Sequence, residues 1–264
     1  MRWDPEEYLR FADERGRPFR DLTARIGAVD PRTVVDLGCG PGNLTRELAA
    51  RWPRARVEGV DASPEMIARA LADGAAGGGV AGGGVAFAVG DVREWDPPEP
   101  VDVVVSNATL QWVPGHLELL DRLVERVAPG GWLAFQVPGN FGEPSHTELA
   151  ALRSAPRWQE LLAGAEVAVP GVEEPPLYLA RLSRLGLAVD AWETTYLQVL
   201  PGEDAVLDWM RGTGLRPVLQ GLPEQDRADF EAEYGARLRV AYPRQDFGTV
   251  LPYRRIFVVA HRAG

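Results

Sequence analysis

The segment from Thr33 to Trp52 constrains the fold of this chain more than any other stretch. A β-branched run, Thr33–Leu37, leads into the glycine-rich turn Gly38–Gly42 and then into residues with apolar side chains at helical spacing. Glycines at a strand-to-helix turn let the backbone approach a ligand closely, and the following helix offers unpaired N–H groups to it. The sequence therefore predicts a strand–turn–helix unit that binds a nucleotide-like ligand.

The rest of the chain extends this alternation of strands and helices. Apolar strands that alternate with helices predict an α/β fold with a doubly wound, mostly parallel sheet of seven strands, covered on both faces. The predicted strands are Thr33–Leu37, Arg56–Asp61, Val85–Val89, Val101–Ser106, Trp132–Val137, Val189–Leu200 and Arg254–His261. The predicted helices are Asn43–Trp52, Pro64 to about Ala72, Leu117–Val127, Thr147–Leu162, Leu177–Leu185 and two pieces within 202–242.

Three local signals set the predicted helix boundaries. Ser63 is an N-cap residue, and Pro64 suits the first position of the helix that follows. Pro129-Gly130-Gly131 is expected to end the predicted helix Leu117–Val127, and Gly221-Leu222-Pro223 to separate the two helical pieces within 202–242.

With 264 residues, the chain is long enough for one elaborated α/β domain and short for two independent ones. We expect a single domain over 1–264, with a core at 30–137 completed by the strands near 189–200 and 254–261. The segments 1–20, 143–186 and 202–242 are expected to form a helical lid.

Composition narrows the location and the partners. A single cysteine, Cys39, excludes an internal disulfide and fits the reducing cytoplasm. The sequence contains no run of about 18 apolar residues, so it predicts no membrane-spanning helix. The net charge of −10 makes nucleic acid and anionic membranes poor partners. Every basic residue is arginine, and three histidines without paired spacing give no metal motif. The sequence leaves the oligomeric state open.

Three features of the turn discriminate between possible ligands. Its glycines follow the pattern Gly-x-Gly-x-Gly with Asn43 next, whereas the dinucleotide fingerprint requires Gly-x-Gly-x-x-Gly or Ala. Asp36 places a carboxylate beside the turn, which disfavours a pyrophosphate and suits a ligand with an ammonium and a sulfonium group. Asp61 ends the second strand, where its carboxylate can accept both hydroxyls of a ribose.

These residues resemble the class I S-adenosylmethionine-dependent methyltransferases, and two later positions extend the resemblance. Gly90-Asp91-Val92 stands where that family places an acid on the adenine amino group, and Ser106-Asn107-Ala108 where it lines the methyl-transfer pocket. The resemblance implies S-adenosylmethionine as the cofactor, bound by Asp36, Gly38, Cys39, Gly40, Gly42, Asn43, Asp61, Ala62, Asp91, Val92 and Asn107. Cys39 is expected to fill a tight loop and to be unreactive.

The chain also resembles a narrower family, the trans-aconitate methyltransferases, almost from end to end. The matching segments include Trp3-Asp4-Pro5, Asn107–Trp112, Glu143–His146, Trp192–Tyr196, Thr213–Pro217 and Arg255–Ala260. Two segments depart from the family: the glycine-rich stretch 74–84, interpreted as a surface linker, and Gly139–Gly142, where the family commonly has a bulkier aromatic residue. The resemblance implies methyl-ester formation on one carboxylate of trans-aconitate.

A carboxylate substrate is ionised at neutral pH, because its reference pKa is about 4, and so it needs no general base. We therefore expect positioning without a catalytic residue. Arg216 and Arg255 are expected to hold the carboxylates that are not methylated, with Arg15 and Arg17 as weaker candidates. The remaining candidates for contact with a small-molecule tricarboxylate are the pocket walls Trp112, His146 and Tyr196.

Three alternatives stay open. The first is a class I methyltransferase for another small carboxylic acid or a carrier-bound acyl group. The second is a nicotinamide-dependent oxidoreductase, which Asp36 and Asn43 disfavour. The third is a catalytically silent cofactor-binding module.

Overall fold

The computed structural model describes residues 12–76, 84–164 and 171–264. The glycine-rich linker prediction falls largely on 77–83 and the first part of the predicted lid on 1–11, so both lie outside the described residues. No helix in the described ranges is long and apolar enough to cross a membrane.

Seven strands form one sheet. They are β1 (Thr33–Leu37), β2 (Arg56–Asp61), β3 (Val85–Val89), β4 (Val101–Asn107), β5 (Val127–Pro138), β6 (Leu187–Leu200) and β7 (Thr249–Arg262). Their order across the sheet is β3-β2-β1-β4-β5-β7-β6, and the pairings of β1 with β2 and β4, of β2 with β3, and of β4 with β5 are parallel. The predicted seven-stranded, mostly parallel α/β fold is confirmed.

The helices in chain order are α1 (Ala12–Ala24), α2 (Asn43–Arg51), α3 (Pro64–Ala76), α4 (His116–Arg126), α5 (Pro144–Arg153), α6 (Pro156–Leu161), α7 (Pro175–Arg184), α8 (Ala205–Arg211), α9 (Arg216–Gly221) and α10 (Glu224–Ala241). A short 3-10 turn, Leu110–Trp112, lies between β4 and α4. Ser63 caps α3 as predicted, because its Oγ accepts a hydrogen bond from the Met66 N–H at 3.3 Å.

Three predictions about helix ends and breaks are wrong. The predicted helix Thr147–Leu162 is divided into α5 and α6, because Pro156 starts a new helix. Pro129-Gly130-Gly131 does not form a separate turn after α4, since β5 already begins at Val127 and runs through it. The region 202–242 contains three helices, because the chain breaks at 212–215 as well as at the predicted Gly221-Leu222-Pro223.

The chain divides into two compact units. The core unit lies within 2–137, 170–193 and 256–264, and the helical unit within 138–169 and 194–255. The predicted lid segments are shared between them: α7 belongs to the core unit, and α5, α6, α8, α9 and α10 to the helical unit. The expectation of a single domain with a lid stays a prediction.

In the core unit, the central strands are buried on both faces. Val34, Val103 and Val104 are fully buried, and the helices α2 and α4 contribute Leu48 and Leu120 to the packing around the sheet. This burial explains the near-continuous apolar runs in the sequence, and it fixes the carboxyl ends of β1, β2 and β4 along one edge of the sheet. The order reverses between β1 and β4, which is where doubly wound sheets bind ligands.

The helical unit has an aromatic core of its own. Trp158 on α6 meets Phe230 on α10 edge to face, with ring centroids 4.9 Å apart, and Trp209 on α8 meets Tyr253 on β7 at 5.0 Å. All four side chains are buried. These contacts hold α6 against α10 and α8 against β7.

Candidate active site

The glycine turn after β1 uses its three glycines for different purposes. All three have positive φ, of 80° at Gly38, 54° at Gly40 and 76° at Gly42, a conformation that favours glycine. A Cβ at Gly38 would lie 1.9 Å from Thr109 Oγ1, and a Cβ at Gly42 would lie 2.5 Å from the Phe87 ring. A Cβ at Gly40 would meet no described atom within 4 Å. Gly40 therefore borders the space into which a ligand can approach the backbone.

Asp36, at the end of β1, carries a buried carboxylate beside this turn. It is 2% exposed, and its Oδ2 accepts a hydrogen bond from Thr45 Oγ1 at 2.7 Å. Its Oδ1 is buried without a hydrogen-bond partner in the described part of the chain. Burial raises the pKa of Asp36 to about 7, helped by the nearby charge of Asp61 and opposed by the hydrogen bond from Thr45. A carboxylate in this state is suited to a cationic group of a ligand.

Asp61 ties the turn to the end of β2. Its Oδ2 accepts the N–H of Gly40 and its Oδ1 accepts the N–H of Ser63, both at 2.9 Å. Burial raises the pKa of Asp61, and the two backbone hydrogen bonds oppose that shift. The predicted ribose-binding acid therefore also fixes the position of the glycine turn, a role that the sequence analysis missed.

Asp91 follows β3, and its carboxylate is paired with Arg93. The backbone N–H of Arg93 donates to Asp91 Oδ1 at 2.8 Å, and the guanidinium bonds both carboxylate oxygens. The hydrogen bonds from the Arg93 side chain lower the pKa of Asp91. An adenine amino group at Asp91 would have to share this carboxylate with Arg93.

Asn107 ends β4 and is held by an amide contact that the sequence did not indicate. The Gln136 Nε2 donates to Asn107 Oδ1 at 2.7 Å, and the backbone carbonyl of Gln136 accepts the N–H of Ala108 at 2.9 Å. Ala108 has φ of 54°, which is unusual for a residue with a side chain. These hydrogen bonds fix the direction of the chain directly after β4, at the edge of the sheet where Asp36 and Asp61 also lie.

The remaining predicted cofactor residues lie on the same loops. Cys39 is buried, and burial raises the pKa of its thiol, in keeping with an unreactive filler. Asn43 begins α2, Ala62 is exposed after β2, and Val92 is buried after β3. Their contacts with a cofactor stay predictions.

In the helical unit, the structure brings two predicted substrate residues together. His146 lies in the first turn of α5 and Arg255 on β7, and the Arg255 guanidinium stacks on the Tyr253 ring at 3.7 Å. Burial, with a smaller contribution from the charge of Arg255, lowers the pKa of His146 to about 4. The imidazole is therefore neutral at physiological pH, next to a buried arginine.

The other three predicted substrate residues lie on three further elements. Trp112 is half-buried in the core unit, in the 3-10 turn after β4. Tyr196 is buried on β6, and Arg216 is half-buried at the start of α9. Their roles stay predictions.

Sequence reasoning missed four residues that the structure places in these groups. They are Thr45, which contacts Asp36; Arg93, which contacts Asp91; Gln136, which contacts Asn107; and Asn140, which contacts His146. Only Thr45 carried a signal, since it lies in the first turn of the helix after the glycines. The other contacts depend on the sheet order and the loop path.

Comparison with known proteins identifies the family. A methyltransferase-domain profile matches residues 8–169. A Streptomyces avermitilis protein named trans-aconitate 2-methyltransferase is 54% identical over 262 residues, covering 98% of this chain and 97% of that protein. A Rhodococcus jostii protein of the same name is 50% identical over 260 residues, covering 98% of each chain.

A solved structure supports the same fold. The S-adenosylmethionine-dependent methyltransferase from Mesorhizobium loti matches with a TM-score of 0.52 and 21% identity, over 96% of this chain and all of that one. The prediction of a methyltransferase is confirmed, and the oxidoreductase alternative is wrong. The near-complete coverage at this identity shows that the chain belongs to the trans-aconitate 2-methyltransferase family.

Proposed function

We propose that this protein transfers the methyl group of S-adenosylmethionine to one carboxylate of trans-aconitate, forming a monomethyl ester. The observation that carries the proposal is the buried Asp36 carboxylate beside the open side of Gly40. A buried acid with one unpartnered oxygen fits the ammonium group of an amino-acid ligand, and the glycine turn leaves room for its adenosyl part. Membership in the family supplies the substrate.

The core unit offers a candidate residue for each part of this cofactor. Asp36 would hold the amino group, Asp61 the ribose hydroxyls, and Asp91 with Val92 the adenine edge. Asn107, oriented by Gln136, would lie nearest the methyl group. The full proposed set also includes the turn residues Gly38, Cys39, Gly40, Gly42 and Asn43, together with Ala62.

S-adenosylmethionine supplies an electrophilic methyl group bound to a sulfonium. One oxygen of the substrate carboxylate would form the new O–CH3 bond while the C–S bond breaks. The electron pair of the broken C–S bond would stay on sulfur. No proton moves, because the carboxylate is already ionised at neutral pH. The protein therefore contributes by orienting the two reactants, which can lower the barrier by up to about 7–11 kcal/mol.

We propose that Arg216 and Arg255 bind the carboxylates that are not methylated, and that Trp112, His146 and Tyr196 line the substrate site. An arginine on the attacking oxygens would reduce their nucleophilicity, so the cations belong on the other carboxylates. In a chain of net charge −10, local arginines are needed to offset repulsion of a tricarboxylate. The buried Arg255 next to neutral His146 supports this arrangement.

The proposal extends to partners and location. A small tricarboxylate, rather than nucleic acid or a membrane, is the proposed partner, in keeping with the acidic composition. The lone, buried cysteine is in keeping with a cytoplasmic protein.

A labelled-methyl assay with a panel of acids tests the proposal. Purified protein receives S-adenosylmethionine with a labelled methyl group and trans-aconitate, cis-aconitate, isocitrate or a malonyl thioester. We expect the highest kcat/KM with trans-aconitate, and base-labile label in the product, as an ester requires. A higher kcat/KM with another acid or with the thioester would show that trans-aconitate is not the preferred substrate. No turnover of any acid would favour a cofactor-binding module without methyltransferase activity.

A further inference from the structure

The turn between β5 and α5 holds a buried amide beside His146. Asn140 is 6% exposed, and its Oδ1 has no hydrogen-bond partner among the described residues. Its Nδ2 lies 3.3 Å from His146 Nε2. A buried amide oxygen without a partner is costly, so this pair is arranged for an interaction beyond those of the free protein.

The His146 ring is fixed on its other sides. The Phe141 ring meets it edge to face, with centroids 4.9 Å apart. A Cβ at Gly214 would lie 3.3 Å from His146 Cε1, so the chain between α8 and α9 closes a further side of the ring. The imidazole therefore presents its Nε2 to Asn140 in a set position.

The hydrogen-bond chemistry of the pair allows two arrangements. A neutral imidazole carries one N–H, so His146 Nε2 either accepts from the amide nitrogen of Asn140 or donates to its oxygen. In the second arrangement the amide is rotated by half a turn, and the buried position without a partner is taken by Nδ2 with its two N–H donors. The first arrangement suits a ligand that donates, and the second suits one that only accepts.

A carboxylate only accepts hydrogen bonds, and the charge of Arg255 acts on the same ring. Resting on the proposed function, we infer that Asn140, oriented by His146, donates its amide N–H to a carboxylate of the substrate that is not methylated. His146 acts here as a positioning residue, since its protonated Nε2 holds the amide oxygen and turns the amide nitrogen toward the ligand. Together with Arg255, Asn140 would select a substrate with a second ionised carboxylate over its amide or ester.

Two variants of one position test this inference in the full-length protein. Asn140→Leu removes the donors at nearly constant size, and Asn140→Asp replaces them with a negative charge. We expect KM for trans-aconitate to rise about tenfold in the first, as for the loss of one charge-assisted hydrogen bond, and further in the second. The kcat value and the affinity for S-adenosylhomocysteine should change little, and Gln159→Leu, an exposed amide on α6, is the matched control.

Nitrogen NMR of selectively labelled histidine reports which ring nitrogen of His146 carries the proton, and a purely structural role predicts no particular position for it. In the complex with S-adenosylhomocysteine and trans-aconitate, we expect His146 to be neutral with the proton on Nε2. A proton on Nδ1 in that complex, or an unchanged KM in both folded variants, would overturn the inference.

The outcomes separate this inference from the proposed function. If the wild-type protein methylates a different acid, the same variants are measured with that acid, and a raised KM still supports the role of Asn140. If the wild-type protein methylates trans-aconitate while the variants keep its KM, only the inference fails. If it methylates no carboxylate at all, both fail.

Discussion

At the scale of single residues, Asp36 shows how a fold can bury a carboxylate at the place where a cationic ligand would bind. The strand and the following turn bury its carboxylate, and burial raises its pKa to about 7. Its folded pKa lies above the unfolded reference of 3.8, so this group favours the folded state at low pH, and that contribution is lost as the pH rises toward 7. A cationic ligand that binds the ionised carboxylate can offset this loss of stability at neutral pH.

The first prediction concerns the pH dependence of cofactor binding. Only ionised Asp36 attracts an ammonium group, so the Kd for S-adenosylhomocysteine should rise as the pH falls below about 7, by up to about tenfold per pH unit. Titration calorimetry between pH 5 and about 8 measures it. Asp36→Asn should bind more weakly with much less pH dependence, and a wild-type Kd that is flat over this range would contradict the assignment.

The second prediction compares two glycines of the turn. Gly40→Ala places a methyl group where no described atom lies, so it should weaken binding of S-adenosylhomocysteine at least about tenfold, while the fold loses only the ~1–2 kcal/mol of a positive φ. Gly38→Ala clashes with Thr109 and should lower the melting temperature far more. Unimpaired binding by Gly40→Ala would show that the open side of Gly40 is not the ligand side. Equal thermal stability of the two variants would contradict the clash expected at Gly38.

At the scale of elements, local pattern predicted the first half of the chain well. The β-branched runs and the Ser63-Pro64 start placed β1 to β4 and α2 to α3 within a few residues, because each signal is local. The pairing of Asp91 with Arg93, and of Asn107 with Gln136, was not predictable. The second pairing depends on β4 lying beside β5, which sequence spacing does not encode.

The helical unit was harder to predict, because most of its helices are short and the breaks between them span only a few residues. Helix α8 ends at Arg211 with Gly212 as its C-cap, and Gly214 in the same break lies against Met210 and His146. The break determines where Arg216 stands, at the first position of α9. It therefore places a predicted substrate residue.

The third prediction follows from that placement. Arg216→Ala should raise KM for trans-aconitate at least about tenfold, because a carboxylate would lose a charge-assisted partner, with little change in kcat. Steady-state kinetics measure the split between KM and kcat. Arg244→Ala, an exposed arginine of the same unit, is the control, and a KM equal to that of the control would remove Arg216 from the site.

At the scale of the whole molecule, the α/β class and the strand count followed from sequence pattern, whereas the division into two units did not. Strands β6 and β7 pass through both units, so hydropathy along the chain shows no boundary there. The proposed cofactor residues could be named from the sequence because they stand at strand ends in a fixed order. Asn140 was missed because an isolated asparagine in a turn has no distinctive pattern.

The most direct test of the central claim is a crystal structure of the protein with S-adenosylhomocysteine. We predict the amino group of the ligand on Asp36, its ribose hydroxyls on Asp61, its adenine edge near Asp91, and its chain against Gly40. A ligand bound elsewhere, or bound with these three carboxylates turned away from it, would contradict the account.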